Sequence, residues 1–340
     1  TPNLDTPIKT NSLGYRESYE IPFEKKANEI RVFAGNDSIQ FGAEVSKEDA
    51  ICDLAENLLT ETFREEGIDK EWEFINASVP CWGHYQTLWR IQREGKKFNP
   101  DLFMLSACQN DPGDDFMIYS AEKNEDPKIR EKARTLLLGG ASPVSKNPML
   151  RKIHETRNWM NRNTNIFGYF YWRNVLKQGA DNPDWYREMW KTLGTEGTYD
   201  TVMIPIYLDV FSQLNEETKG KNFVVIYPAH NYVGHVLGGK PGKDFMLSPD
   251  SPVERELPFR KATLEFVEKN NIPYIDALQI YLGYLKENPD VHWEELFAIK
   301  MNPTSGKPMP DKIHPSGLGH RLVTEMLPDF LRKNFPHLFY

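Results

Sequence analysis

Two short clusters at opposite ends of the chain hold residue types that together make a hydrolytic set. They are Asn36-Asp37-Ser38 near the start and Asp311-Lys312-Ile313-His314 near the end. A serine hydroxyl is a weak nucleophile and needs a neutral imidazole to take its proton; a carboxylate must in turn orient that imidazole. Ser38, His314 and Asp311 supply the three types. Distance in sequence is no obstacle in a parallel sheet, where the end of a central first strand faces the same crevice as the loop before the last helix.

The elements that must position them follow from periodicity. Glu29 to Gly35 alternates, with Ile30, Val32 and Ala34 on one face, and then becomes small: a strand running into a tight turn that carries Asn36, Asp37 and Ser38. Ser46 and Asp49 resemble a capping pair, and Ile51, Leu54, Ala55, Leu58 and Leu59 form the stripe of a helix. Trp72 to Val79 reads as a strand, Tyr85 to Glu94 as a helix, and Asp101 to Cys108 as a strand buried on both faces. Asn222 to Tyr227 and Ile272 to Ile275 supply two more strands, and Arg255 to Lys269 another helix. Strands alternating with helices predict an α/β fold, a three-layer α/β/α doubly wound (flavodoxin-like) sheet of about five parallel strands. The spacing of Leu318, Leu322, Val323, Met326, Leu327, Phe330 and Leu331 predicts one last helix with Pro315 in its first turn, so that His314 lies just ahead of it.

After a lead-in of 1–28, residues 29–340 read as one domain carrying an insertion at about 112–220. The insertion is helix-like and aromatic, with segments at 166–172 and 185–190 whose rings are read as packing first and as sugar-stacking surfaces second. A net charge of -8 with a sequence pI near 5.6 offers no basic field for nucleic acid or an anionic membrane surface. No run approaches the roughly 18–20 apolar residues of a membrane span. The first residue is Thr rather than Met, which reads as a mature or shortened chain and leaves a removed signal or anchor open. Cys52, Cys81 and Cys108, with no CxxC, are expected to be buried free thiols. The sequons at Asn36 and Asn76 fall where the site is expected, which disfavours a glycosylating secretory origin.

The chain resembles the SGNH (GDSL-type) hydrolase family in four separated blocks covering most of its length outside the insertion. Asn36-Asp37-Ser38-Ile39-Gln40-Phe41-Gly42 is similar to Gly-Asp-Ser-x-x-x-Gly, which implies Ser38 as nucleophile. Asn76-Ala77-Ser78-Val79-Pro80-Cys81-Trp82-Gly83 is similar to the block whose backbone N–H faces the oxyanion, implying Ser78 there. Cys108-Gln109-Asn110-Asp111 is similar to Gly-x-Asn-Asp, implying Asn110 as side-chain oxyanion donor, and Asp311-x-x-His314 implies the orienting acid and the general base. Asn36, Ser78 and Cys108 replace glycines; Asn36 is expected to keep its turn by tolerating left-handed angles, and Cys108 to narrow the site. The lead-in Asn11 to Arg16 looks like that of exported or membrane-anchored bacterial members.

The resemblance implies a serine esterase acting on a small-molecule or carbohydrate ester, such as an O-acetylated sugar, without a cofactor. An O-acyltransferase of a cell-envelope glycan would use the same triad, and a binding module that has lost turnover would keep the same fold. Trp82, His84 and His230 are the candidate substrate contacts. A metal is not expected, because Asp111, Asp114 and Asp115 have no histidine at ligand spacing in the sequence.

Overall fold

The seven residues Glu29–Gly35 form strand β1, buried along its whole length, including the charged Glu29 and Arg31. The computed structural model describes residues 8–80, 82–123, 199–238, 252–301 and 308–339. After β1 come Ser38–Phe41 (α1), Ile51–Glu65 (α2), Glu71–Asn76 (β2), His84–Arg93 (α3), Leu102–Ala107 (β3), Asp111–Lys123 (α4) and Ile204–Thr218 (α5). Then follow Asn222–Ile226 (β4), His230–Val236 (α6), Pro252–Lys269 (α7), Tyr274–Asp276 (β5) and Ala277–Glu287 (α8). The chain closes with Phe297–Met301 (β6), Pro308–Pro315 (β7), Gly317–Thr324 (α9) and Leu327–Asn334 (α10). One compact unit comprises Thr1–Phe116 and Asp200–Tyr340, and a second comprises Met117–Tyr199. Most of the second, and with it both aromatic segments of the expected insertion, lies outside the described residues.

Five strands in the order β2-β1-β3-β4-β5 make the sheet, and all four pairings are parallel. Because β1 is internal, its two faces meet two different layers. Ile30, Val32 and Ala34 join the core beneath α2, α8, α9 and α10. Phe33 points the other way into a ring cluster with Tyr15, Phe98 and Phe103, in the layer that holds α3 and α5. Truncating a fully buried phenylalanine such as this one costs about 3–5 kcal/mol. Arg31 lies on that second face; Glu29 sits 2.5 Å away and three backbone carbonyls accept from its Nη1. A buried guanidinium is tolerable only when paired and hydrogen-bonded in this way.

Three local expectations are corrected. Ser46 does not cap α2; its hydroxyl donates to Asp49 Oδ2 (3.0 Å), and Ala50 occupies the cap position. The last helix is two helices, interrupted at Glu325 and Met326 just before the proline-started α10. Pro315 ends β7 rather than starting α9, whose N-cap is Ser316, its Oγ accepting from Gly319 N–H (3.2 Å).

The antiparallel pair β6 and β7 has no counterpart in the periodicity, since three prolines in Pro308–Pro315 argue against a strand. Its register explains how such a segment pairs. Phe297 faces Pro315 and Ile299 faces Pro310, so residues 311–314 bulge out opposite the single residue Ala298. Bulges re-aim side chains and are over-represented beside active sites.

Candidate active site

Ser38 follows β1 at the first position of α1, a helix of four residues capped at both ends. Asp37 Oδ1 accepts from Ile39 N–H (2.9 Å), the turn-holding role expected of it. Gly42 ends the helix at φ +79, and a Cβ there would collide with Arg16 and Ala50, so block one needs its final glycine for both backbone and space. Arg16, from the lead-in, donates from Nη1 to the carbonyls of Phe41 (2.6 Å) and Gly42 (2.5 Å) and from Nη2 to that of Val45 (2.8 Å). Asn76, at the end of β2, donates to the Gln40 and Phe41 carbonyls (3.3 Å each). The lead-in is therefore part of the nucleophile's support, which its sequence did not signal.

Asn36 is not left-handed, and the expected reason for its tolerance is wrong. Its side chain is fully buried and ties two strand ends together, donating from Nδ2 to the Ser106 carbonyl (2.8 Å) and to Asp111 Oδ1 (3.1 Å). A glycine there could make neither bond.

Across the crevice, the bulge of β7 is closed by its own carboxylate. Asp311 Oδ1 accepts from the N–H groups of Ile313 (2.9 Å) and His314 (3.0 Å). The same oxygen lies 3.0 Å from His314 Nδ1, an ion-pair distance with an angle outside that of a hydrogen bond. His314 Nε2 lies 2.8 Å from Ser38 Oγ, bridging 276 residues of sequence. Ser38 is 9% exposed, and the side chains of His314 and Asp311 are 15% and 1% exposed. The pair thus reaches solvent while the acid does not. The structure brings these three predicted residues together.

Asn110 lies beside Asp37 of the serine turn. Its Nδ2 donates to Asp114 Oδ2 (2.9 Å) and lies 3.5 Å from Asp37 Oδ2, while its Oδ1 lies 2.7 Å from Cys108 Sγ. Around it is a buried acidic cluster. Asp111 Oδ2 accepts from Cys108 N–H (2.8 Å) and Asp115 Oδ1 from Tyr85 N–H (2.8 Å). Burial pushes Asp111 well up, reinforced by Asp37 and Asp115, and also raises Asp114 and Asp115. Cys108 is raised too, first by burial and then by Asp111 and Asp37, so its thiol stays protonated and able to donate at neutral pH. Asp37, Cys108 and Asp111 bring one ligand-type atom each within 4.8 Å of one another, although Cys108 Sγ is already 3.2 Å from Asp37 Oδ2 and both Asp111 oxygens accept from protein N–H groups.

Two expected contacts, Ser78 and His84, are corrected. Ser78 is fully buried and its N–H is directed at Asn76 Oδ1 (3.3 Å), so it is engaged within the protein rather than offered to an oxyanion. His84 is also fully buried, packed on Tyr207 and Phe211, with Nδ1 at 3.9 Å from Asp111 Oδ2 and 3.7 Å from Asp115 Oδ2. It is the histidine the acidic run lacks in sequence, and it cannot touch substrate. Trp82, its ring 4.8 Å from the Arg90 guanidinium carbon, and His230, against Trp293 and Phe297, are each 8% exposed, close to the exposure of Ser38. Cys52 and Cys108 are buried free thiols, as expected; Cys81 lies outside the described residues.

No protein-family model and no curated protein matches the sequence. Among solved structures, a lipase/acylhydrolase from Enterococcus faecalis aligns over 90% of this chain and 96% of its own at 12% identity, with a TM-score of 0.44. LAE5, an alpha/beta hydrolase from the metagenome of Lake Arreo, aligns over 91% and 96% at 12% identity and TM-score 0.43. A mutant of a Geobacillus acetyl-xylooligosaccharide esterase aligns over 92% and 97% at 11% identity and TM-score 0.44. These likenesses are distant, and the fold and site described above rest on the chain's own geometry.

Proposed function

We propose that the protein is a serine esterase of the SGNH type. The observation that carries this reading is the 2.8 Å approach of Ser38 Oγ to His314 Nε2, made by two segments 276 residues apart, with Asp311 Oδ1 3.0 Å from the other ring nitrogen. A hydroxyl within hydrogen-bond reach of an imidazole whose other ring nitrogen lies beside a buried carboxylate is the set of groups that can activate a serine.

In the proposed cycle Ser38 Oγ attacks an acyl carbonyl carbon while its proton passes to His314 Nε2. Asp311 steadies the imidazolium through Nδ1. Asn110 Nδ2–H and the Ser38 backbone N–H, a first-turn donor that a helix leaves without an intrahelical acceptor, stabilise the oxyanion. The tetrahedral centre collapses, the C–O bond to the alcohol breaks, and the alcohol leaves with the proton from Nε2. Water, deprotonated at the same nitrogen, then releases the acid and regenerates Ser38. An O-acetylated carbohydrate is the substrate class to test first, by analogy with the family that the four sequence blocks resemble.

Two measurements test the assignment together: labelling by a serine-directed fluorophosphonate and cleavage of p-nitrophenyl acetate, each against Ser38→Ala. The expected result is one label on the Ser38 peptide, and a rate that the substitution lowers at least a thousandfold, the scale of losing a triad member. An unlabelled protein whose slow cleavage is unchanged in Ser38→Ala would instead mark a binding module on the same fold.

A further inference from the structure

An oxyanion donor that is a carboxamide has an orientation problem. Its N and O ends are nearly the same size, and a half-turn about the last side-chain bond replaces a donor by an acceptor. An acceptor facing a developing negative charge would oppose catalysis, so the choice must be fixed by the surroundings. Around Asn110 the two ends meet opposite chemistry. At the Oδ1 end is a thiol, Cys108 Sγ, at 2.7 Å; at the Nδ2 end are carboxylate oxygens, Asp114 Oδ2 at 2.9 Å and Asp37 Oδ2 at 3.5 Å. A thiol can donate to Oδ1 but would be a poor partner for Nδ2, and an ionised carboxylate can only accept, the state Asp114 holds above the value of about 7 to which burial raises it. A flipped amide would set its oxygen against two carboxylates.

We propose that Cys108 and Asp114 are positioning residues that clamp the Asn110 amide from its two ends, fixing which end faces the acyl oxygen. The inference rests on the esterase reading above and adds two residues to it. Cys108 stands where the resembled family has glycine, so this half of the clamp exists only because the glycine is gone. The buried site keeps the thiol protonated, and its one hydrogen has two acceptors in reach, Asn110 Oδ1 at 2.7 Å and the more distant Asp37 Oδ2 at 3.2 Å. Asp114 lies four residues after Asn110 and takes one of the two Nδ2 hydrogens. The other, set only against the long 3.5 Å approach to Asp37, is the one left for the substrate.

The test is the kcat and KM of p-nitrophenyl acetate cleavage by the full chain in Cys108→Ala, Cys108→Ser, Asp114→Ala and Asp114→Asn, with Asn110→Ala as reference. Small displacements of a catalytic group cost up to about a hundredfold. Cys108→Ala and Asp114→Ala should each lower kcat roughly tenfold or more with KM little changed. Serine keeps a donor and asparagine an acceptor, so both conservative variants should recover most of the loss. A residue serving stability alone would shift the melting temperature without that split or that rescue. If Asn110→Ala slows the enzyme but the four variants do not, or if serine and asparagine fail to rescue folded protein, the clamp is wrong. If Asn110→Ala and Ser38→Ala both leave the rate unchanged, the esterase reading itself is wrong and the clamp falls with it.

Discussion

The serine end and the histidine end of the site are held by opposite strategies. The turn of Ser38 is pinned over long distances in sequence: Arg16 and Asn76 donate to the carbonyls of 40–42 and 45, and Asn36 ties the turn to Ser106 and Asp111. The bulge of His314 is pinned from within, by one oxygen of Asp311 that accepts two neighbouring N–H groups and faces the ring. Strain in a long-range network is shared with the fold, whereas a local carboxylate can be altered with little effect beyond its own loop. The nucleophile's position is thus a property of the whole sheet edge, and the base's position a property of four residues.

The sharpest way to break this contrast is Asp311→Asn. The amide oxygen can still accept from Ile313 and His314, so thermal stability should stay near that of the parent, while the charge facing Nδ1 is gone and the ring is free to take the wrong tautomer. Loss of the acid in a Ser-His-Asp site lowers turnover by roughly 10³–10⁴-fold. Turnover of p-nitrophenyl acetate beside a thermal melt checks both halves; a large fall in melting temperature would show that the bulge is not locally held.

Arg16→Met is the converse. It removes the cation that satisfies two buried carbonyls and one half-buried one, and each buried acceptor left orphaned costs about 1–3 kcal/mol, so a loss of about 2–5 kcal/mol is expected after the methionine packs. Urea unfolding should show it, with activity of the remaining folded fraction falling less than in Asp311→Asn. Asn36→Gly, which restores the residue of the resembled family, should be milder. It severs the bonds to Ser106 and Asp111 and leaves two buried acceptors, at about 2 kcal/mol. A stabilised Asn36→Gly protein would mean that this cross-link does not support the turn.

The same contrast explains what could be read from the sequence. The five strands were legible because buried parallel strands are near-continuous apolar runs, as in Leu102–Ala107 and Asn222–Ile226. The types of Ser38, Asp311 and His314 were legible because a hydrolytic set needs them whatever holds them. What held them was hidden. Arg16 looks like any charged residue of an N-terminal segment, Asn36 like a turn former, and Ser78 like a small residue with a spare N–H; their partners lie many residues away and no periodicity marks them. The β7 bulge was hidden for another reason: prolines at 308, 310 and 315 are a signal against pairing, and only the register reveals that pairing resumes on either side of the bulge. The burial of His84 is hidden for a further reason: it is the first residue of a helix and turns inward, which its neighbours Trp82 and Gly83 do not mark.

The smallest expected effect compares two histidines close in sequence. His314 keeps contact with solvent, but His320, on α9, is fully buried, and burial pushes it down to about 3, with His314 and Arg16 adding to the shift. An unfolded histidine titrates near 6.5. Between these values the unfolded chain binds a proton at this side chain that the folded chain refuses, so the folded state loses stability as pH falls from about 6.5 toward 3, by at most about 1.4 kcal/mol per unit from this one group. Urea midpoints at pH 7, 6 and 5 for the parent and for His320→Gln isolate it, since glutamine fills much of the same space and does not titrate. The parent should lose about 1 kcal/mol more than the variant between pH 6 and 5. Parallel pH curves would mean that His320 accepts its proton without unfolding.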